Sequence, residues 1–143
     1  MSIDVLNTEE SIISNLMRNP DLLGKFRLKA EMFTDEKLRG FIEYVLEQGK
    51  VDVNQIYFKS RDDKDFISTD RLGRIYNSDG TDKVFFMDDQ LNLLQEYVLS
   101  QAREKVSEYQ SMPTKNNFNY LVEELEKLKG MTCLLYTSPS PRD

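Results

Sequence analysis

Histidine and tryptophan are missing from this chain of 143 residues, and cysteine occurs once, at position 133. Without imidazole there is no histidine base, and without a cysteine-histidine set there is no zinc-finger site. Long apolar runs are missing too. Outside the last eleven residues the longest is Val84-Phe85-Phe86-Met87, against the roughly 20 residues that a membrane helix needs. The opening Met-Ser-Ile-Asp has neither the basic stretch nor the apolar core of a secretory signal, so the expected compartment is the cytoplasm. Positive charge is in deficit: 19 Lys and Arg against 25 Asp and Glu leave a net charge of −6. That balance repels a phosphate backbone unless the few cations cluster, so direct DNA binding by these residues is not expected.

What is present fits one helix-rich domain of ordinary size, with 39% hydrophobic and 31% charged residues. From Asn7 to Lys59 the chain reads as three amphipathic helices punctuated by Asn19-Pro20 and Gly49. Asn7 and Glu10 have the spacing of a capping box for the first, whose apolar residues are Ile12, Ile13, Leu16 and Met17. Pro20 suits the first turn of a short helix with Leu22, Leu23 and Phe26 inward. The middle helix has Thr34 as its expected cap, acidic Asp35 and Glu36 in its first turn, and Gly49 at its end. Its Leu38, Phe41, Ile42, Val45 and Leu46 recur at three and four, which makes one apolar face. Asp52 and Gln55 cap a third helix through Lys59, and Ser60 to Asp65 reads as a solvated loop. Ser68 or Thr69 starts another helix, with Leu72, Ile75 and Tyr76 on one face. Asn77 to Thr81 is a turn cluster, and Val84 to Met87 reads as a buried connector.

The longest helix is expected from Asp88 or Asp89 to Ser111, with Leu91, Leu94, Val98, Ala102, Val106 and Tyr109 in a three-four rhythm. Pro113 ends it. A second helix restarts at Asn116 or Asn117, carries Phe118, Leu121, Val122, Leu125 and Leu128, and is closed by Gly130. So short a connection makes the two antiparallel. The expected fold is therefore all-α: a compact orthogonal helical head over residues 1–87, then an antiparallel helical hairpin over 88–132.

Residues 133–143, Cys-Leu-Leu-Tyr-Thr-Ser-Pro-Ser-Pro-Arg-Asp, break this composition. They read as the translation of a transposon-type sequencing adapter, a non-native tail expected to be disordered. Setting it aside removes one Arg and one Asp, so the charge stays at 18 − 24 = −6.

Motifs for chemistry fail on inspection. Gly24-Lys25 and Gly49-Lys50 lack the upstream glycine and following Ser/Thr of a phosphate loop. Asp62, Asp63 and Asp65 do not match a calcium loop, since the sixth and twelfth places hold Ile67 and Gly73. Arg71, Arg74, Lys83, Arg103 and Lys105 are interleaved with Asp70, Asp79, Asp82 and Glu104, the pattern of a solvated face. No catalytic, cofactor or metal residue is assigned. The hairpin carries more information. Tyr97, Leu99, Tyr120 and Val122 lie off its main stripes and need a partner to cover them. With their neighbours they define a candidate protein interface of Leu94, Tyr97, Val98, Leu99, Phe118, Tyr120, Leu121, Val122 and Leu125.

The segment Glu10-Ser-Ile-Ile-Ser-Asn-Leu-Met-Arg-Asn-Pro-Asp-Leu-Leu23 resembles the opening helix of the N-terminal domain of DnaB-like replicative helicases. Met32-Phe33, Leu38-Arg39, Phe41-Ile42, Gly49 and Val51-Asp52 continue that pattern in register. Ser14 stands where the family usually has Gly, and Leu38 where it often has His. The likeness covers about the first sixty residues, and beyond them only the helix layout. It implies a domain of a hexameric helicase that unwinds duplex DNA. Its hairpins would build a collar, and its surface would dock a primase or a helicase loader. ATP and magnesium, and most DNA contacts, would belong to a motor domain outside this chain. The alternatives are the similar helicase-binding domain of DnaG-type primases and a phage replication accessory protein.

Overall fold

The structure, a computed structural model, describes the backbone of residues 2–78 and 83–137 and the side chains of 5–78 and 83–132. The fold is all-α, with no strand among the described residues. Six α-helices are described: α1 (Ser2–Arg18), α2 (Glu36–Gln48), α3 (Val53–Asp62), α4 (Thr69–Tyr76), α5 (Phe86–Ser111) and α6 (Lys115–Thr137). Short 3₁₀ turns lie at Pro20–Lys25, Ala30–Met32 and Lys83–Phe85. Among the described residues no helix is long and apolar enough to cross a membrane. The chain divides into two units, Met1–Leu93 and Leu94–Asp143.

Within the first unit, α1 buries Ile12, Ile13, Leu16 and Met17 on one stripe, and α2 buries Leu38, Phe41, Ile42 and Val45. Ile56 of α3, Phe66 and Ile67 of the loop after it, and Leu72 and Ile75 of α4 join this core. Phe66 lies beside both the Phe41 ring and the Tyr44 ring. The three-four spacing is what allows each helix to hide an apolar face while its polar face stays wet.

Local capping explains where most helices begin and end. Asp52 accepts the amides of Asn54 and Gln55, and Ser68 accepts that of Arg71. Gly49 ends α2 at φ 74°, a left-handed conformation that glycine adopts without strain, and its amide bonds the Val45 carbonyl.

Several expectations are corrected. Helix α1 begins at Ser2, so Asn7 caps nothing and residues 2–6 are helix. Nothing between Ser2 and Asn7 breaks a helix, and the start moves up the chain accordingly. The cap of α2 is Asp35, which accepts the Lys37 and Leu38 amides at 2.9 and 3.2 Å. Thr34 instead donates its amide and hydroxyl to Glu9. Helix α3 continues to Asp62 through the first half of the expected loop. The Val84–Met87 connector is a 3₁₀ turn leading into α5; Phe86 is buried, but Val84 and Phe85 are exposed. Most of the expected Asn77–Thr81 turn cluster lies outside the described residues, together with Asp82.

The first unit takes in the first two turns of α5, so its boundary falls later than residue 87. Phe86, Gln90 and Leu93 recur at four and three and are all buried. Gln90 makes this attachment directional: its oxygen accepts the Arg27 amide and its nitrogen donates to the Lys25 carbonyl.

The second unit is a helical hairpin. Its connection is short, residues 112–114, and Thr114 caps α6 by accepting the Asn117 amide at 3.1 Å. Near the turn, the Tyr109 ring meets Phe118 edge-on at 5.9 Å, and the Lys105 ammonium lies 5.6 Å from the centre of the Tyr120 ring. Successive pairs in opposite chain directions make the helices antiparallel. Helix α6 is not closed by Gly130. Positive φ occurs only at Gly49 among the described residues, so the chain passes Gly130 in right-handed helix and continues to Thr137. Residues 133–137, expected to be disordered, are therefore helical; residues 138–143 lie outside the described residues. Cys133-Leu-Leu-Tyr136 contains nothing that stops a helix already under way.

Candidate interaction surface

The chemistry-bearing side chains of the first unit are engaged with one another. Arg71 of α4 donates to Glu10 of α1 at 2.9 Å and to Asp35 at the start of α2 at 3.0 Å. Arg74 donates to the same Glu10 oxygen at 3.1 Å. Burial alone raises the pKa values of Glu10 and Asp35. The hydrogen bonds and charge of the arginines outweigh it, together with the Leu38 and Lys37 amides at Asp35, and both carboxyls end below their ordinary values. Arg71 in turn is raised, since these two carboxylates outweigh its own desolvation. The cluster ties α1, α2 and α4 together. The sequence reading matched the charges of Arg71 and Arg74 to neighbouring aspartates. Their partners stand in fact up to 64 residues away, which spacing along one helix does not reveal.

Of the acidic residues Asp62, Asp63 and Asp65, Asp63 is engaged by its neighbours. Asp63 accepts the Asp65 amide and the Lys59 ammonium. No group of His, Cys, Asp and Glu suited to a metal ion occurs among the described residues. Gly24 and Gly49-Lys50 line one open cleft with Pro20, Asp21, Leu23 and Val51. Its only charged side chains are Asp21 and Lys50, an unlike pair without a phosphate-cradling loop.

The hairpin is different, because its apolar residues fall into two environments. Leu94 and Leu121 are buried, and Tyr97, Val98 and Leu125 are half-buried. Leu99, Phe118, Tyr120 and Val122 are exposed by 41–50%, and Val106 by 37%. The nine candidate residues thus separate into an inner seam and outward flanks.

Helical rotation shows which flanks lie together. Leu99 and Val106 are seven residues apart on α5, nearly two full turns, so they share one side. Phe118 and Val122 are one turn apart on α6 and share a side likewise. When a right-handed helix reverses direction, its sense of rotation reverses as seen from a fixed viewpoint. Positions displaced from the seam in the same angular sense therefore flank the same side of an antiparallel pair. Tyr109, displaced as Val106 is, meets Phe118 on that side. Tyr120 belongs to the other side. There Lys105, Glu108, Ser111 and Asn117, together with Tyr109, Met112 and Leu121, line a cleft of mixed character, about 290 Å³ in volume, with it. Against desolvation, Glu108, Tyr120 and Glu124 raise the Lys105 ammonium above its ordinary pKa.

One side of the hairpin is consequently mixed, with Lys105 and Glu108 beside the exposed Tyr120 and Met112. The other carries Leu99, Val106, Phe118 and Val122 in a continuous apolar strip. Helical rotation places no carboxylate of α5 or α6 in that strip; Lys115 and Lys129 lie towards its ends, and Arg103 and Glu126 at its two outer edges. Sequence periodicity counted Val106 and Phe118 with the packed stripes. Their exposure became visible only with the pairing of the helices.

No family model, curated protein or solved structure matches the chain.

Proposed function

We propose that this chain is a non-catalytic interaction module: the N-terminal oligomerisation and partner-docking domain of a DnaB-like replicative helicase. The observation that carries this reading is the apolar strip Leu99, Val106, Phe118 and Val122 on one side of the hairpin. Contiguous exposed apolar surface stabilises an association when a matching surface removes it from water. The Glu10-to-Leu23 segment, and the layout of a helical head followed by a hairpin, support the helicase parentage. In that setting self-association through hairpins contributes to a hexameric collar, and a primase or loader docks on the assembled surface. ATP hydrolysis and unwinding belong to the motor domain of the intact protein.

The test is the mass in solution of the wild-type chain and of Val106→Asp. The wild type is expected to form dimers or larger assemblies, and the variant to be monomeric with unchanged helical circular dichroism. A wild type that stays monomeric at high concentration overturns the reading. Val98→Asp is a poorer probe, because Val98 sits towards the inner seam and its loss would disturb the hairpin itself.

A further inference from the structure

Two side chains at the edges of the apolar strip, Arg103 on α5 and Glu126 on α6, are exposed, and neither forms an ion pair among the described residues. We infer that the strip is covered by the same strip of a second copy, with the two hairpins parallel and α5 of each lying on α6 of the other. Arg103 of each copy then meets Glu126 of the other. The inference rests on the self-association reading above and adds the arrangement of the pair.

Geometry allows two symmetric ways to place the strip on itself. In the first, the two-fold axis runs along the hairpin. Each α5 then faces the opposite α6 at the same height. The contacts Tyr109–Phe118 and Lys105–Tyr120 fix which residues of α5 and α6 are level. By that register Arg103 and Glu126 lie within one helical turn of the same height, and both point to the outer edge. The two-fold axis therefore generates two Arg–Glu contacts, one at each edge, within reach of an arginine side chain. In the second arrangement the axis runs across the hairpin, so each α5 faces the other α5 in the opposite direction. The centre of the strip lies near Arg103, so this brings Arg103 of one copy against Arg103 of the other. Like charges facing each other disfavour that arrangement, and complementary charges favour the first. The exposed apolar residues supply the attraction in either case; the edge charges choose between them.

Charge reversal decides the matter. Wild type, Arg103→Glu, Glu126→Arg and the double variant Arg103→Glu/Glu126→Arg are compared by sedimentation equilibrium at low and high salt. Each single reversal turns two attractive contacts into two repulsive ones and is expected to weaken the dimer about tenfold, with less effect at high salt. The double reversal restores complementarity and is expected to regain most of the wild-type affinity. If the wild type dimerises but the double variant is no better than the singles, the parallel arrangement is overturned and self-association stands. If a neutralising variant, Arg103→Gln, strengthens the dimer, the antiparallel arrangement is the correct one, because it removes the Arg103–Arg103 repulsion where Arg103→Glu would only replace it by a Glu–Glu one. A wild type that does not dimerise at all fails the underlying reading instead, so the two failures are distinguishable.

Discussion

At the scale of single residues, Glu9 and Ser14 stand on the buried side of α1 and have opposite fates. Glu9 is fully buried, yet its carboxylate accepts the Thr34 amide at 2.8 Å, the Thr34 hydroxyl at 2.7 Å and the Asp35 amide at 3.2 Å. It closes the approach to α2, where backbone amides without helical partners gather and negative charge is favoured. Glu9→Ala takes the acceptor from the amide and hydroxyl of exposed Thr34 and the amide of half-buried Asp35, which can turn only in part to water. Hydrogen bonds to a charged group contribute about 1.5–3 kcal/mol each, and their losses here overlap, so a total of about 3 kcal/mol is expected. A urea midpoint unchanged from wild type would contradict this account. Ser14 shows the reverse. Its hydroxyl is fully buried and has no hydrogen-bond partner among the described residues. A buried hydroxyl without a hydrogen bond destabilises, and alanine is the better helix former. Ser14→Ala is therefore expected to raise stability by about 1 kcal/mol, read as a higher midpoint in the same titration. A loss of stability would mean that the hydroxyl does bond within the folded chain.

At the scale of elements, what the sequence made legible was local. The Asp52 and Ser68 caps, the Gly49 terminus and the apolar stripes of α1, α2 and α4 depend on residues within one or two turns, and periodicity reads those. Boundaries governed by an absence were missed. No residue stops α1 from starting at Ser2, and Gly130 interrupts nothing in α6 because a glycine ends a helix only when the chain turns left-handed there. Val84-Phe85-Phe86-Met87 looked uniformly buried because its composition is uniform. The start of α5 instead rotates Phe86 into the core and leaves Val84 and Phe85 outside. The candidate interface followed the same division. That the hairpin carries surplus apolar residues was legible from Leu99 and Val122. That Val106 and Phe118 belong with them depends on which helix faces align, and so on a contact between α5 and α6. Likewise Glu10 reads as half of a capping box until Arg71 and Arg74, some sixty residues on, are placed beside it.

At the scale of the molecule, the Glu10–Arg71–Asp35–Arg74 cluster makes the cohesion of the first unit depend on pH. The ordinary values of the two carboxyls are 4.5 and 3.8, and both are lower in the folded chain. A folded pKa below the unfolded one means that the folded state holds its proton more weakly. The stabilisation is then complete above the unfolded values and is lost as pH falls through the folded ones. Asp89 works in the other direction. Burial raises its carboxyl, with Asp88 adding to the rise and the Ser11 hydroxyl opposing it, so acidification relieves a strain there. Two depressed carboxyls joined to two arginines outweigh one raised carboxyl. Thermal stability is therefore expected to hold from neutral pH down to about 5 and to fall progressively below it. Arg71→Met removes the shared partner of Glu10 and Asp35 while keeping much of the aliphatic stem. It is expected to lower the melting temperature at about pH 7 and to flatten the decline between about pH 5 and 3, because the carboxyls then titrate closer to their unfolded values. Melting curves of both proteins across that range test the point. Parallel declines would place the acid sensitivity in other carboxylates and leave this cluster with a packing role alone.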